Sequence, residues 1–232
     1  ERPSGRRSWR IALTKLMAGV SGVRGVVGDG LDASVLLAYA SAFSESLGDG
    51  PVVFGGDSRP SGPALRHAVL AALLGMGREV LDLGIVPTPT VQLAVERFGA
   101  AGGIALPAGH NPIEWNALKF VGPDGRFLDP DTAGAFLASV GGERRWVRWD
   151  GLGSVRRVHD AIEDHVARIL VLEAVDAAAI ARRRPRVILD AVHGAGGAIG
   201  RMLLERLGCD LEILYEEPTG RFPREPEPAA AN

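Results

Sequence analysis

The stretch Pro107-Ala108-Gly109-His110-Asn111-Pro112 joins two apolar runs, GGIAL and NALKF. It gathers a histidine and an asparagine, and Lys119 follows closely, so the cluster has groups that can hold and move a proton. Gly109 sits at its centre with no side chain, and the loop therefore offers no nucleophile there. Two other polar stretches also follow apolar runs: Asp57-Ser58-Arg59-Pro60-Ser61 after VVFGG, and Pro87-Thr88-Pro89-Thr90 after DLGIV. A fourth, SGVRG over residues 21–25, sets Arg24 between glycines and begins with Ser21. Arginine forks on glycine-flanked loops suit two-pronged recognition of phosphate. In open α/β sheets ligands bind beyond the carboxyl ends of the strands. Loops converging on one such edge predict a site for an anionic small molecule, with Lys119 beside the phosphate as proton donor or acceptor.

Each motif also has a plainer structural meaning. Asp-Ser-Arg ahead of a helix commonly caps it. A histidine next to Asn-Pro can simply bond its own turn, and strand alternation can point Lys119 to solvent. The run HGAGGAIG, following the apolar VILDAV, carries glycines at 194, 196 and 200, with Glu216 and Glu217 further on. That spacing is one residue longer than the dinucleotide-binding fingerprint. A glycine run at the start of a helix equally serves to pack helix on strand.

The elements that must position these residues alternate along the chain. Helical periods at 34–48, 61–77 (with Ser61 as its cap) and 87–99 interleave with strand-like runs at 51–56, 79–86 and 102–106. This order predicts βαβ units and a mostly parallel sheet sandwiched by helices. Residues 142–157, rich in Gly, Arg and Trp, read as a linker. One long amphipathic helix is expected over 158–175, then a strand over 186–192 that opens a second, partial α/β domain running to 232. The expected division is thus a tail over 1–16, a first domain over 17–141, the linker, and the partial domain.

Composition narrows the function classes. The chain has 232 residues, 46% hydrophobic and 23% charged, with a net charge of −2. It lacks the basic field of a nucleic-acid binder, although its first ten residues are locally basic and read as a frayed tail. The single cysteine, Cys209, permits no internal disulfide. No apolar run approaches the ~18 residues of a membrane span, and no signal pattern opens the chain, so a soluble cytoplasmic protein is expected. Its first residue is Glu rather than Met, which reads as a segment of something longer.

Taken together, SGVRGVVG, GGDSRPSG, LGIVPTPTVQLAV, GGIALPAGHNPIEWNALKFVGPDG, VILDAVHGAGG and PTGRFPREPEP resemble the α-D-phosphohexomutase family (phosphoglucomutase/phosphomannomutase). The resemblance covers roughly residues 17–228. It implies a first α/β domain and part of a second, and a reaction that moves a phosphoryl group between the 1- and 6-positions of a hexose through a phosphoserine and Mg²⁺. The phosphoserine belongs in T-A-S-H-N-P, which here reads P-A-G-H-N-P, so Gly109 stands where the nucleophile should be. By the same resemblance Arg24 is the loop arginine near the phosphate, His110 and Asn111 flank the phosphoserine position, and Lys119 is the general acid/base. Ser21, Arg59 and Asn111 make up the expected substrate- and phosphate-binding set. Gly56 and Ala117 depart from the family pattern, where arginine and glycine are usual.

The family's aspartate-rich metal loop would lie beyond Asn232, so no metal ligands are expected in this chain and Mg²⁺ is implied by the family alone. The partner implied is a hexose phosphate (glucose or mannose phosphate). The resulting expectation is a phosphohexomutase-like protein that is inactive or incomplete. A non-catalytic sugar-phosphate-binding or interaction protein on the same scaffold is the alternative, and a nucleotide-binding α/β domain a third.

Overall fold

A computed structural model describes residues 16–20 and 22–227; Ser21 and most of the expected N-terminal tail lie outside the described residues. Short strands β1 (Met17–Gly19), β2 (Gly22–Val27) and β3 (Gly30–Leu31) open the chain, followed by α1 (Ala33–Ser46). Asp32 starts α1 by accepting a hydrogen bond from the Val35 amide at 2.9 Å. Then come β4 (Val52–Gly56), α2 (Gly62–Gly75), β5 (Val80–Ile85), α3 (Thr88–Phe98), β6 (Gly102–Leu106), β7 (Trp115–Val121) and α4 (Pro130–Ser139). The first unit closes with β8 (Val155–Arg157), inside the stretch read as a linker.

These strands form one sheet in the order β1-β2-β7-β6-β4-β5-β8, with β3 beside β2. Strands β6, β4, β5 and β8 run parallel, as helical crossovers require. The β1–β2, β2–β7 and β6–β7 pairs are antiparallel, because the chain returns from β6 to β7 through a short loop rather than a helix. That short loop is 107–112 and its flank.

Strand alternation sends side chains to two cores. Phe54, Ile104, Leu118 and Phe120 meet α1, α2 and α4 on one face, where Phe43, Phe120 and Phe136 stack with centroids 4.7–5.7 Å apart. Val53, Leu81, Ala105 and Val121 meet Val91 and Val95 of α3 and Ala161 on the other. The result is the helix–sheet–helix sandwich that the pattern of elements predicts.

The second unit holds α5 (Ala161–Leu170), α6 (Ala177–Arg183), β9 (Arg186–Asp190), α7 (Gly197–Arg206) and β10 (Asp210–Leu214), with β9 and β10 parallel. The single helix expected over 158–175 is shorter, α5 alone, and α6 begins beyond it. α5 ends near Leu170, Val171 and Leu172 stand exposed, and Asp176 starts α6 by accepting from the Ala179 amide at 2.8 Å. Apolar periodicity ran on past the point where there was anything to bury it against. Ser61 also differs from expectation: its hydroxyl does not cap α2 but accepts from Asn116 Nδ2 at 3.0 Å.

α5 is tied to α3 by the ion pairs Arg168–Glu96 at 3.5 Å and Arg97–Asp164 at 3.9 Å and by a hydrogen bond between His165 Nδ1 and Thr90 Oγ1 at 2.8 Å. Burial holds the His165 pKa below its ordinary value; Asp164 opposes this and Arg168 reinforces it. The unfolded chain therefore takes up a proton near pH ~6.5 that the folded chain resists. Stability should be fully present above that pH and fall as the pH drops through and below it. Denaturant midpoints measured from pH 7.5 to 5.5 should decline in the native protein, and His165→Gln should flatten that part of the decline. Equal slopes for the two would show that this contact does not titrate with folding.

Candidate functional site

The turn after β4 and the loop after β6 are built around one buried arginine. Asp57 is placed at the end of β4 by its amide, which donates to Leu106 O at 3.1 Å. Its Oδ1 accepts from the Arg59 amide at 3.1 Å; its Oδ2 accepts from Arg59 Nε at 3.1 Å and from the Ala108 amide at 3.3 Å. Arg59 is 1% exposed. Its Nη1 donates to Pro112 O at 2.5 Å, and its Nη2 to Gly109 O at 3.0 Å and Asn111 O at 2.6 Å. The Phe222 ring lies over the guanidinium, 4.9 Å from Cζ.

Burial raises the Asp57 pKa, the Arg59 and Ala108 contacts opposing it; burial also lowers the Arg59 pKa against the pull of Asp57 and Glu114. A buried, fully bonded arginine of this kind shapes backbone. Its donors go to Asp57 and to the loop's carbonyls. Asn111 does similar work, its Nδ2 donating to Ala108 O at 2.6 Å. Two residues read from the sequence as phosphate or substrate ligands are thus used to set the loop's path.

What the loop presents outward is Gly109 and His110. Gly109 takes φ +58°, and a Cβ built on it would meet nothing within 4 Å. Both residues line a cavity of about 320 Å³ together with Ser58, Thr88, Val192, Gly194 and Phe222. His110 Nε2 lies 3.3 Å from Glu227 Oε2, both side chains being largely exposed.

The far wall of that cavity comes from the second unit, which the sequence had marked only as a glycine run. His193 O accepts from Ser58 Oγ at 2.8 Å and from the Gly220 amide at 2.9 Å, and the His193 amide donates to Tyr215 O. Val192 (φ +45°) and His193 (φ +57°) both occupy the left-handed region. For a β-branched residue this costs about 1–3 kcal/mol, a strain that persists where the surroundings over-determine the backbone. The DAVHG sequence after a strand carries no local signal for it.

Arg24 and Lys119 occupy a different concavity. Arg24 lies on β2 rather than in a glycine loop, opposite Ala117 of β7. With Lys119, Met17, Gly19 and Gly22 it lines a space of about 170 Å³. Lys119 is half-buried, its Nζ 5.6 Å from the Phe127 ring centroid. The expected cluster is therefore divided: Gly109 and His110 face one cavity, Arg24 and Lys119 another.

Among the described residues no three His, Cys, Asp or Glu side chains are grouped as metal ligands. The residues present do not fit a Mg²⁺ site, and no step through that ion is assigned to them. In the glycine run, a Cβ on Gly200 would lie 2.5 Å from Leu189 Cδ2 and one on Gly197 2.7 Å from Glu216 O. These glycines bring α7 against its strands, and Glu216 pairs with Arg201. No helix among the described residues is long and apolar enough to cross a membrane.

Residues 15–142 match the family described as phosphoglucomutase/phosphomannomutase, alpha/beta/alpha domain I. The chain is 35% identical over 221 residues to a phosphoglucomutase/phosphomannomutase of Thermococcus kodakarensis, covering 92% of this chain and 48% of that protein. It is 36% identical over 203 residues to a phosphoglucosamine mutase of Synechococcus sp. RCC307, covering 87% and 43%. A crystal structure of a phosphoglucomutase/phosphomannomutase family protein from Burkholderia thailandensis superposes with a TM-score of 0.72 at 28% identity, over 90% of this chain and 47% of that one. The chain spans about half the length of the curated relatives it matches.

Proposed function

Since the chain belongs to the phosphoglucomutase/phosphomannomutase family, we propose that its site binds a hexose phosphate but forms no covalent phosphoryl intermediate at position 109. Phosphoryl transfer to the protein requires an acceptor oxygen in line with the departing one. Gly109 supplies none, and a water in its place cannot retain the phosphoryl group between two half-reactions. The observation that carries this reading is the open space at Gly109, at the outward apex of a loop whose carbonyls are pinned from beneath by Arg59.

The ligand's phosphate is held by the cations that remain accessible, Arg24 as a two-pronged donor and Lys119 as a point charge and proton source. His110 lines the other cavity, beside Gly109, so a ligand held this way meets His110 only by spanning the two concavities. Hexose identity is left to elements other than these.

Calorimetric titration of the protein with glucose 1-phosphate and mannose 1-phosphate tests the reading. Saturable binding is expected, weakened about tenfold or more by Arg24→Gln, since a hydrogen bond to a charged group contributes roughly 1.5–3 kcal/mol. Mass spectrometry after incubation with a hexose bisphosphate should find no phosphate on residues 107–112. Absence of saturable binding, or a phosphorylated residue in that loop, would overturn the proposal.

A further inference from the structure

A separate concavity of about 500 Å³ lies between α2, the end of β5 and residues Pro218 and Thr219. Besides His67 and Arg59, which is bound to Asp57, its basic groups are Arg66, from α2, and Arg157, from the edge strand β8. Both reach the same carboxylate oxygen, Asp82 Oδ2: Arg157 Nη1 at 2.6 Å and Arg66 Nη2 in direct contact. The Asp82 side chain is 3% exposed, and its Oδ1 accepts from the Gly84 amide at 3.1 Å.

One buried carboxylate needs one cation. Here two guanidiniums meet it, leaving a net positive charge on the cavity side, and the outer one, Arg157, is 50% exposed. Each guanidinium has five N–H donors, and each gives one to Asp82. Arg157 also lies across Gly84, where a Cβ would come 2.3 Å from its Nη2. Asp82 and the bare backbone at Gly84 therefore fix both forks before any ligand arrives, which lowers the ordering cost of binding. Phe54, Ile85 and Leu106 line the rest of the space. Its volume lies in the range of small-molecule sites, with apolar walls and a few convergent polar groups.

We propose that this cavity is a second anion site, taking the phosphate of a small phosphate monoester on Arg66 and Arg157. It stands apart from the hexose-phosphate reading, and shares with the Gly109 cavity only the Asp57-Ser58 turn as a common wall.

Amide NMR titration of the ¹⁵N-labelled chain with inorganic phosphate, against sodium chloride at equal ionic strength, tests it. Saturable shifts are expected at Gly84, Ile85 and Thr219 with phosphate and not with chloride. Arg157→Gln and, separately, Arg66→Gln should each weaken that response about tenfold or more, the value of a charge-assisted hydrogen bond, while a dispersed spectrum reports an intact fold. Arg24→Gln should leave the response unchanged. Shifts at Gly109 and His110 report the other cavity, so either site can fail without the other. No saturation at Gly84, Ile85 and Thr219, an equal effect of chloride, or indifference to both arginine variants would overturn the proposal.

Discussion

Gly109→Ser is expected to produce a protein that takes up a phosphoryl group at position 109, where the native chain is expected to take up none. The change is sterically open, since no atom lies within 4 Å of the new Cβ. Its cost is the left-handed φ of +58°, about 1–2 kcal/mol for an L side chain, so the variant should fold with modestly reduced stability. The new hydroxyl stands at the apex of the loop and faces the cavity that Gly109 now lines. With a hexose bisphosphate as donor, a bond forms between the serine oxygen and phosphorus as the sugar's phosphorus–oxygen bond breaks. The serine proton passes to the departing sugar oxygen, and a hexose monophosphate is released. Intact-mass and peptide spectra would show phosphate confined to residues 107–112. A folded Gly109→Ser protein that binds the sugar phosphate and stays unmodified would show that the missing oxygen is not what disables this loop.

The largest loss of stability is expected from Arg59. Arg59→Met keeps much of the side chain's bulk but removes the cation beside Asp57 and the donors to the carbonyls of Gly109, Asn111 and Pro112. Breaking a buried pair from one side costs about 3–5 kcal/mol. Against total stabilities of roughly 5–15 kcal/mol this is a large fraction. The melting temperature should fall by about 10 °C or more, taking ~2–4 °C per kcal/mol for a chain of this size, and hexose-phosphate binding should weaken with it. Arg59→Lys should recover only part, because one ammonium cannot reach three carbonyls and a carboxylate in the guanidinium's planar spacing. If Arg59→Met melts within about 2 °C of the native protein, Arg59 is not the support of loop 107–112.

Arg59 also marks where sequence reasoning and structure part. An arginine following Gly-Gly-Asp-Ser has the composition of a phosphate ligand. Nothing local says that the guanidinium turns inward to bind the carbonyls of a loop 50 residues later. The division of Gly109 and His110 from Arg24 and Lys119 is of the same kind. It follows from strand order, with β7 lying between β2 and β6, and strand order is absent from any one motif. The strained Val192–His193 turn depends on the Ser58, Tyr215 and Gly220 contacts that hold it.

By itself the sequence determined the alternation of strands and helices, the sandwich that follows from it, the family, and the vacancy at Gly109. Each of these is written in local periodicity, in glycine and proline punctuation, or in the identity of one residue. Tertiary structure alone decided which polar side chains meet a cavity and which turn inward to satisfy buried backbone. That choice rests on the requirement that every buried donor and acceptor find a partner, and here the partners come from segments far apart in the chain.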